Sequence, residues 1–117
     1  MRILILGDIN SAHIKKWCIG LSSREITIGI YSLSVPKEEW YKAHTIHLFS
    51  PIKQKNSNPF LLKFNYYKHR KLLKKTIQLF KPNIVHAHYA SSYGMLARIS
   101  GFQPIIVSVW GSDVFDF

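Results

Sequence analysis

Two short apolar runs with a helix-like segment between them constrain the fold of this chain more than any other feature. The runs are residues 84–87 and 105–109, and the segment between them is residues 93–100, closed by Gly101. This arrangement is typical of a β-α-β unit with two parallel strands. The segments that follow both strands should therefore lie at the carboxyl edge of one sheet, where open α/β sheets bind ligands.

The beginning of the chain predicts a second unit of the same kind. Residues 2–6 form an apolar run that suits a strand covered on both faces, and Gly7 ends it. Asn10 or Ser11 is expected to cap a helix whose apolar residues recur at i, i+3, i+4 and i+7. These apolar residues are Ile14, Trp17, Cys18 and Leu21. Alternation over residues 26–31 predicts the next strand.

The middle of the chain predicts shorter elements and then a long helix. Residues 35–40 are expected to form a helical turn, residues 45–49 a third strand and residues 50–58 an exposed loop. A proline in the first turn indicates a helix over residues 59–80. The predicted fold class is therefore α/β, with a Rossmann-like open parallel sheet and helices on both of its faces.

On a helical wheel, residues 59–80 divide into an apolar arc and a basic arc. The apolar arc contains Leu61, Leu62, Tyr66, Leu72, Leu73, Ile77, Leu79 and Phe80. The basic arc contains Lys63, Lys68, Arg70, Lys71, Lys74 and Lys75, with Phe60, Phe64 and Tyr67 among them. Two interpretations stay open: an ordinary solvated face, or a surface that rests on anionic lipid, where each well-placed cation contributes about 1 kcal/mol.

The charge balance favours an anionic partner. Sixteen Lys and Arg against six Asp and Glu give a formal net charge of +10, which suits a phosphate-bearing ligand, a lipid surface or nucleic acid. No RNA or DNA motif is visible, so no specific nucleic acid is predicted. Cys18 is the single cysteine, which suits a reducing cytoplasm. No apolar run approaches the roughly 20 residues of a membrane span, so a cytoplasmic protein, soluble or peripheral at the inner face of the cell membrane, is expected.

Nucleotide and metal sites are both disfavoured. The turn at residues 7–10 lacks the glycines of a dinucleotide fingerprint or a P-loop, and Asp8 would repel a phosphate there. A sugar or a lipid-linked acceptor with hydroxyl groups is compatible with this turn. His86 and His88 point to one side of their strand, but two imidazoles are too few for zinc and no other histidine has the spacing to complete a site. No metal and no cofactor is predicted.

The polar residues at the expected carboxyl edge are candidates for ligand binding. His88 lies beside the polar loop and ligand contact is favoured for it, whereas His86 is interpreted as a buried, hydrogen-bonded residue. Ser91 and Ser92 can cap the following helix, whose first N–H groups could also hold an anion. Residues 110–113 combine an aromatic ring, a glycine, a hydroxyl and a carboxylate, which suits a carbohydrate site. A turn that caps another helix is the alternative.

A family resemblance is carried by residues 81–113, which read KPNIVHAHYASSYGMLARISGFQPIIVSVWGSD. This segment resembles the middle of the amino-terminal, acceptor-side domain of glycosyltransferase family 4, the retaining enzymes of GT-B architecture. The opening MRILILGDINSAHIKKW resembles the first strand and helix of that domain. The resemblance implies that residues 1–117 are one incomplete domain. The resemblance also implies a donor-binding carboxyl-terminal domain with a Glu-x7-Glu motif, which residues 1–117 are not expected to contain, so this chain alone should be inactive.

The resemblance also implies a function and a set of site residues. Three loops should line a cleft that holds the acceptor, and they are residues 7–10, 86–92 and 110–113. The predicted substrate-binding residues are Gly7, Asp8, Asn10, His13, His88, Tyr89, Ser91, Ser92, Trp110, Gly111 and Ser112. Many family members have His-Gly where this chain has Trp110-Gly111, so Asp113 is the candidate catalytic residue that orients the acceptor hydroxyl. The implied partners are a nucleotide-sugar donor, held by the missing domain, and a glycan or lipid-linked acceptor in cell-surface glycan synthesis.

Two other classes of protein stay open. A non-catalytic Rossmann-like module could bind anionic lipid or nucleic acid through its basic face, and its binding would fall steeply with salt. A phosphoacceptor receiver domain would need an acidic cluster around a central aspartate, but Asp8 is the only early aspartate.

Overall fold

The computed structural model describes residues 1–50, 66–88 and 93–109, with the backbone alone for residues 66–68. The strands in these ranges form one sheet in which every pairing is parallel. They are β1 (Arg2–Leu6), β2 (Thr27–Tyr31), β3 (His47–Phe49), β4 (Ile84–His88) and β5 (Ile105–Ser108). Their order is β3-β2-β1-β4-β5. The predicted α/β class with an open parallel sheet is confirmed.

Helices cover both faces of the sheet. The described helices are α1 (Ala12–Ser22), α2 (Trp40–Ala43), α3 (Tyr66–Phe80) and α4 (Tyr93–Ile99). On one face, Ile14 and Cys18 of α1 pack on the isoleucines of β1 and β2. On the other face, α3 and α4 pack on Leu4, Leu6 and Val85. The two core layers meet at β1, whose residues 3–6 are buried. This is the environment that its uninterrupted apolar run predicts.

The segment between β2 and β3 differs from its prediction. A helical turn was expected over residues 35–40, but the helix there is α2, which begins only at Trp40. The Asn10 side chain explains the shift, because it binds the carbonyl of Val35 and the N–H of Lys37. These backbone groups are held by another loop instead of by a helical turn. The third strand begins at His47, two residues later than predicted, after Thr45 with a φ of 55°.

The buried face of α3 is also rotated relative to the wheel. Four residues at i, i+4, i+7 and i+11 are buried: His69, Leu73, Thr76 and Phe80. Leu79, expected in the apolar arc, is instead 68% exposed. Phe80 fixes this rotation because its ring fills the space that Gly29 leaves open on β2 and lies against Phe49. Of the predicted loop at residues 50–58, the structure describes Ser50, and the first part of the predicted helix lies outside the described residues.

Candidate functional site

The strand order of this sheet reverses between β1 and β4, so the crevice between their carboxyl ends is a candidate ligand site. From β1 the chain continues through α1 to β2 on one side, and from β4 it continues through α4 to β5 on the other. Open α/β sheets bind ligands where the strand order reverses in this way. Leu6 pairs with Ala87, so Gly7 lies beside His88. His88 pairs with Ser108, so the chain segments leaving β4 and β5 start side by side on this rim.

Gly7 serves close packing at the base of this crevice. It is buried, and its N–H donates to the carbonyl of Tyr31 at 3.1 Å, which extends the sheet ladder by one residue. A Cβ added at Gly7 would overlap Cδ1 of Ile14 and lie 3.7 Å from Cβ of His88. The missing side chain therefore allows α1 to sit directly over the β1–β4 boundary. Substrate contact by Gly7 stays a prediction.

Hydrogen bonds fix the loop after β1 to its neighbours. The Asp8 carboxylate accepts the N–H of Asn10 at 2.9 Å. The Asn10 side-chain amide donates to the carbonyl of Val35 at 2.9 Å, and its oxygen accepts the N–H of Lys37 at 2.8 Å. Ser11 is the N-cap residue of α1, but its side chain makes no capping bond. Asn10 therefore joins two rim loops instead of capping the helix.

Replacing Asn10 by alanine should destabilise this rim. Both bonds of its side chain would be lost, and we expect the free energy of unfolding to fall by about 1–2 kcal/mol. Urea denaturation measures this change. Ser11→Ala is the matched control, because its side chain makes no capping bond. Equal losses in the two variants would contradict the role assigned to Asn10.

Three aromatic side chains lie together below the carboxyl end of β4. The ring centroids of His86 and His88 are 4.4 Å apart, and the indole of Trp17 packs edge-on against them at 5.3 and 5.8 Å. His86 Nε2 and Ser108 Oγ form a 2.6 Å hydrogen bond. The interpretation of His86 as a buried, hydrogen-bonded residue is thus confirmed. Trp17, expected on the core stripe, is 42% exposed and covers the histidine pair instead.

Burial keeps this histidine pair neutral. His88 is fully buried. Burial, reinforced by the nearby His86 and His13, lowers the pKa of His88 to about 4, and burial lowers the pKa of His86 as well. A neutral imidazole offers one donor and one acceptor nitrogen. The pair therefore forms an uncharged polar wall behind the crevice. Ligand contact by His88 stays a prediction, and its ring is covered in this structure.

A cavity of about 260 Å³ opens beside the loop after β1. Its lining mixes an aromatic ring, an amide, a carboxylate and two amines: Ile9, Asn10, Ser11, Ala12, Lys15, Lys37, Glu38 and Trp40. An aromatic face together with a few polar groups is the composition expected of a small-molecule site. The site residues predicted from the sequence do not include Lys15, Lys37, Glu38 or Trp40, because a long-range contact, the hydrogen bonds of Asn10, holds residues 35–37 beside the start of α1.

The remaining predicted residues divide into described and undescribed ones. Among the substrate-binding candidates, His13 is exposed on α1. Those outside the described residues are Tyr89, Ser91, Ser92, Trp110, Gly111, Ser112 and the catalytic candidate Asp113. On the basic helix, Lys71, Lys74 and Lys75 are exposed and Arg70 is partly buried. Lys63 and the side chain of Lys68 are not described. In the described ranges, no group of three His, Cys, Asp or Glu side chains could hold a metal ion.

The sheet order and the crevice at its reversal point define the class of a Rossmann-like ligand-binding domain. The family model described as "Glycosyl transferase 4-like" matches residues 2–117, and the chain belongs to that family. The resemblance to the amino-terminal domain of family 4 glycosyltransferases is thereby confirmed. No curated protein matches the chain. Within the described residues, no helix is both long and apolar enough to cross a bilayer.

Proposed function

We propose that this chain is the acceptor-binding part of a retaining glycosyltransferase. The enzyme would transfer a sugar from a nucleotide-sugar donor to a glycan or a lipid-linked acceptor in cell-surface glycan synthesis. The observation that carries this proposal is the cavity between α1 and residues 35–40, at the carboxyl edge of the sheet. Family membership supplies the reaction class. The composition of the cavity supports the proposal that a hydroxyl-bearing acceptor binds there.

The side chains that line the cavity suit a sugar. Trp40 is half-buried, so part of its ring is available to the apolar face of a sugar, and Glu38 is an exposed carboxylate that can accept bonds from two hydroxyls. Lys15 and Lys37 line the same cavity and can donate hydrogen bonds to further hydroxyl groups. The Asn10 amide is already bonded to backbone groups, and we assign it the role of holding the cavity's shape.

The donor and the chemical step lie beyond this cavity. We assign the nucleotide-sugar to a carboxyl-terminal donor-binding domain, so that residues 1–117 alone would transfer no sugar. In the reaction, the acceptor oxygen bonds to the anomeric carbon, the bond from that carbon to the nucleotide breaks, and the acceptor proton is taken up by a base. We propose that Asp113 orients the acceptor hydroxyl. The exposed Lys71, Lys74 and Lys75 would add loose contact with anionic lipid at the cytoplasmic face of the membrane.

A pair of neighbouring glutamates provides a sharp test of the acceptor site. Methyl glucoside and maltose, titrated into the isotope-labelled chain, should shift the NMR signals of Asn10, Lys37 and Trp40. Glu38→Gln should weaken this binding by about tenfold, because charge-assisted hydrogen bonds are lost. The control is Glu39→Gln, since the Glu39 carboxylate instead pairs with Lys42 at 2.9 Å.

The same titrations separate the proposal from its alternative. UDP-glucose should shift these signals no more than methyl glucoside does, because we assign the nucleotide-sugar to another domain. If no saccharide shifts them, while anionic vesicles bind in a manner that high salt abolishes, the acceptor role is wrong. The chain would then be a basic, non-catalytic binding module.

A further inference from the structure

A second cavity lies along the flank of α1, separate from the proposed acceptor cavity. Its volume is about 470 Å³, and it is lined by His13, Lys16, Trp17, Gly20, Leu21 and Arg24. The proposed acceptor cavity is lined by other residues of the same helix, among them Ser11 and Lys15. The two cavities therefore share no lining residue. The flank cavity is not explained by binding of an acceptor sugar beside Asn10.

Gly20 lies at the base of this flank cavity and leaves space there because it has no side chain. Nothing lies within 4 Å of the position that a Cβ on Gly20 would occupy. Trp17, 42% exposed, and the half-buried Leu21 border the gap and give it apolar walls. Glycine destabilises a helix relative to alanine, and neither a positive φ nor a close contact requires it at position 20. The space itself is what the glycine provides.

Two cations flank the open base of the cavity. Lys16 and Arg24 each lie four residues from Gly20 and are exposed, so their long side chains can converge on a group bound above it. Lys16 lies about one helical turn before Gly20 on α1, and Arg24 lies in the turn that follows the end of α1 at Ser22. His13 adds a third nitrogen base at the end of the cavity near the carboxyl edge. The described residues that line the cavity include no carboxylate.

We propose that the flank of α1 binds a phosphate ester that carries an apolar group. The phosphate lies between Lys16 and Arg24, where Arg24 can bind two of its oxygens at once. The apolar group lies on Trp17 and Leu21. A soluble phosphate ester and the headgroup region of an anionic lipid share this chemistry. The site is independent of the acceptor cavity, so either proposal can fail without the other.

Three small probes test whether the phosphate and the apolar group are both needed for binding. Hexyl phosphate should shift the NMR signals of the Trp17 indole N–H and the Gly20 amide. Inorganic phosphate and hexyl glucoside, which each lack one of these two groups, should bind at least about tenfold more weakly, since apolar burial and charge each contribute more than 1.4 kcal/mol. Vesicles of phosphatidylcholine with and without phosphatidic acid test the lipid source, with co-sedimentation as the readout.

Two substitutions with matched controls locate the site. Gly20→Leu should fill the base of the cavity and reduce hexyl phosphate binding by at least about tenfold. Gly20→Ala should leave most of the binding, although it should raise helix stability about as much as Gly20→Leu does. Arg24→Ala should reduce binding by about tenfold. Its control is Arg98→Ala, which removes the same charge from an exposed position on α4. Thermal unfolding of each variant confirms that the fold is retained.

The outcomes are distinct. Binding of hexyl phosphate that Gly20→Leu and Arg24→Ala both weaken supports the proposal and indicates a soluble ligand. Binding only to vesicles with phosphatidic acid, with the same sensitivity to both variants, supports it and indicates a lipid ligand. Three results would overturn the proposal. They are binding that neither variant changes, binding of inorganic phosphate as tight as that of hexyl phosphate, and no binding of any probe. A loss of saccharide binding at Trp40 would concern the acceptor proposal alone.

Discussion

Acidification from pH 7 to about pH 4 should lower the free energy of unfolding by about 3 kcal/mol through His88 alone. In the folded chain the pKa of His88 is lowered to about 4, first by burial and then by His86 and His13. In the unfolded chain a histidine titrates near pH 6.5. Between these values the unfolded state binds the additional proton, so stability is full above about pH 6.5 and declines as the pH falls toward 4.

Urea denaturation across this pH range measures the effect. His88→Gln removes the titrating group and should flatten the decline by about 3 kcal/mol, whatever it does to stability at pH 7. His86→Gln should flatten it as well, since burial also lowers the pKa of His86. The control is His44→Gln, the same substitution at an exposed position. A decline that persists undiminished in His88→Gln would show that carboxylates or net charge cause it.

Most of the sheet was predictable because its strands carry unambiguous local signals. The apolar runs at β1 and β4 have the length and flanking residues of buried parallel strands, and both bounds agree with the structure to within one residue. The two β-α-β units predict that β1 and β4 each lie in one sheet with the strand that follows in their unit. The class of fold therefore follows from the sequence, whereas the pairing of β1 with β4, which brings Gly7 beside His88, is known only from the structure.

The errors have tertiary causes that no local pattern contains. The wheel placed Leu79 in the core, but the rotation of α3 is set by Phe80, whose ring needs the space left by Gly29 on a strand far away in sequence. Similarly, residues 35–40 were expected to bond among themselves, and the Asn10 side chain takes two of their backbone groups instead. In both cases a long-range contact outweighs local propensity.

The candidate site could be predicted only in part, because long-range contacts also determine which side chains form it. The sequence identifies rim loops, and His88 and Asn10 lie at the rim as expected. Trp17 fits a core stripe by its spacing, yet it is partly exposed and packs on two histidines that are about 70 residues away in the chain. Trp17 follows His13 by four residues, and this spacing was the available signal that Trp17 belongs to the site. An apolar helical stripe, however, produces the same spacing.

Gly7→Val should destabilise the fold by about 3 kcal/mol, the upper part of the range for overpacked cores. The added Cβ would overlap Cδ1 of Ile14, a fully buried residue, and the valine methyls would meet Cβ of His88. Either α1 moves away from the sheet or Ile14 leaves its rotamer. Gly20→Val makes the same change on an open surface of α1 and should leave stability unchanged or slightly higher. Thermal and urea unfolding measure both variants.

A double-mutant cycle identifies the contact that is responsible. Ile14→Val removes the overlapping methyl, so Gly7→Ala should cost less in that background than in the parent chain, with a coupling energy of at least about 0.5 kcal/mol. Purely additive losses would show that Gly7 is required for another reason, such as the backbone geometry of the turn. Where the coupling holds, the close approach of α1 at Gly7 sets the distance from the Asn10 rim to the β1–β4 crevice. Gly7→Ala should then weaken saccharide binding at the acceptor cavity, and the Ile14→Val background should restore part of it.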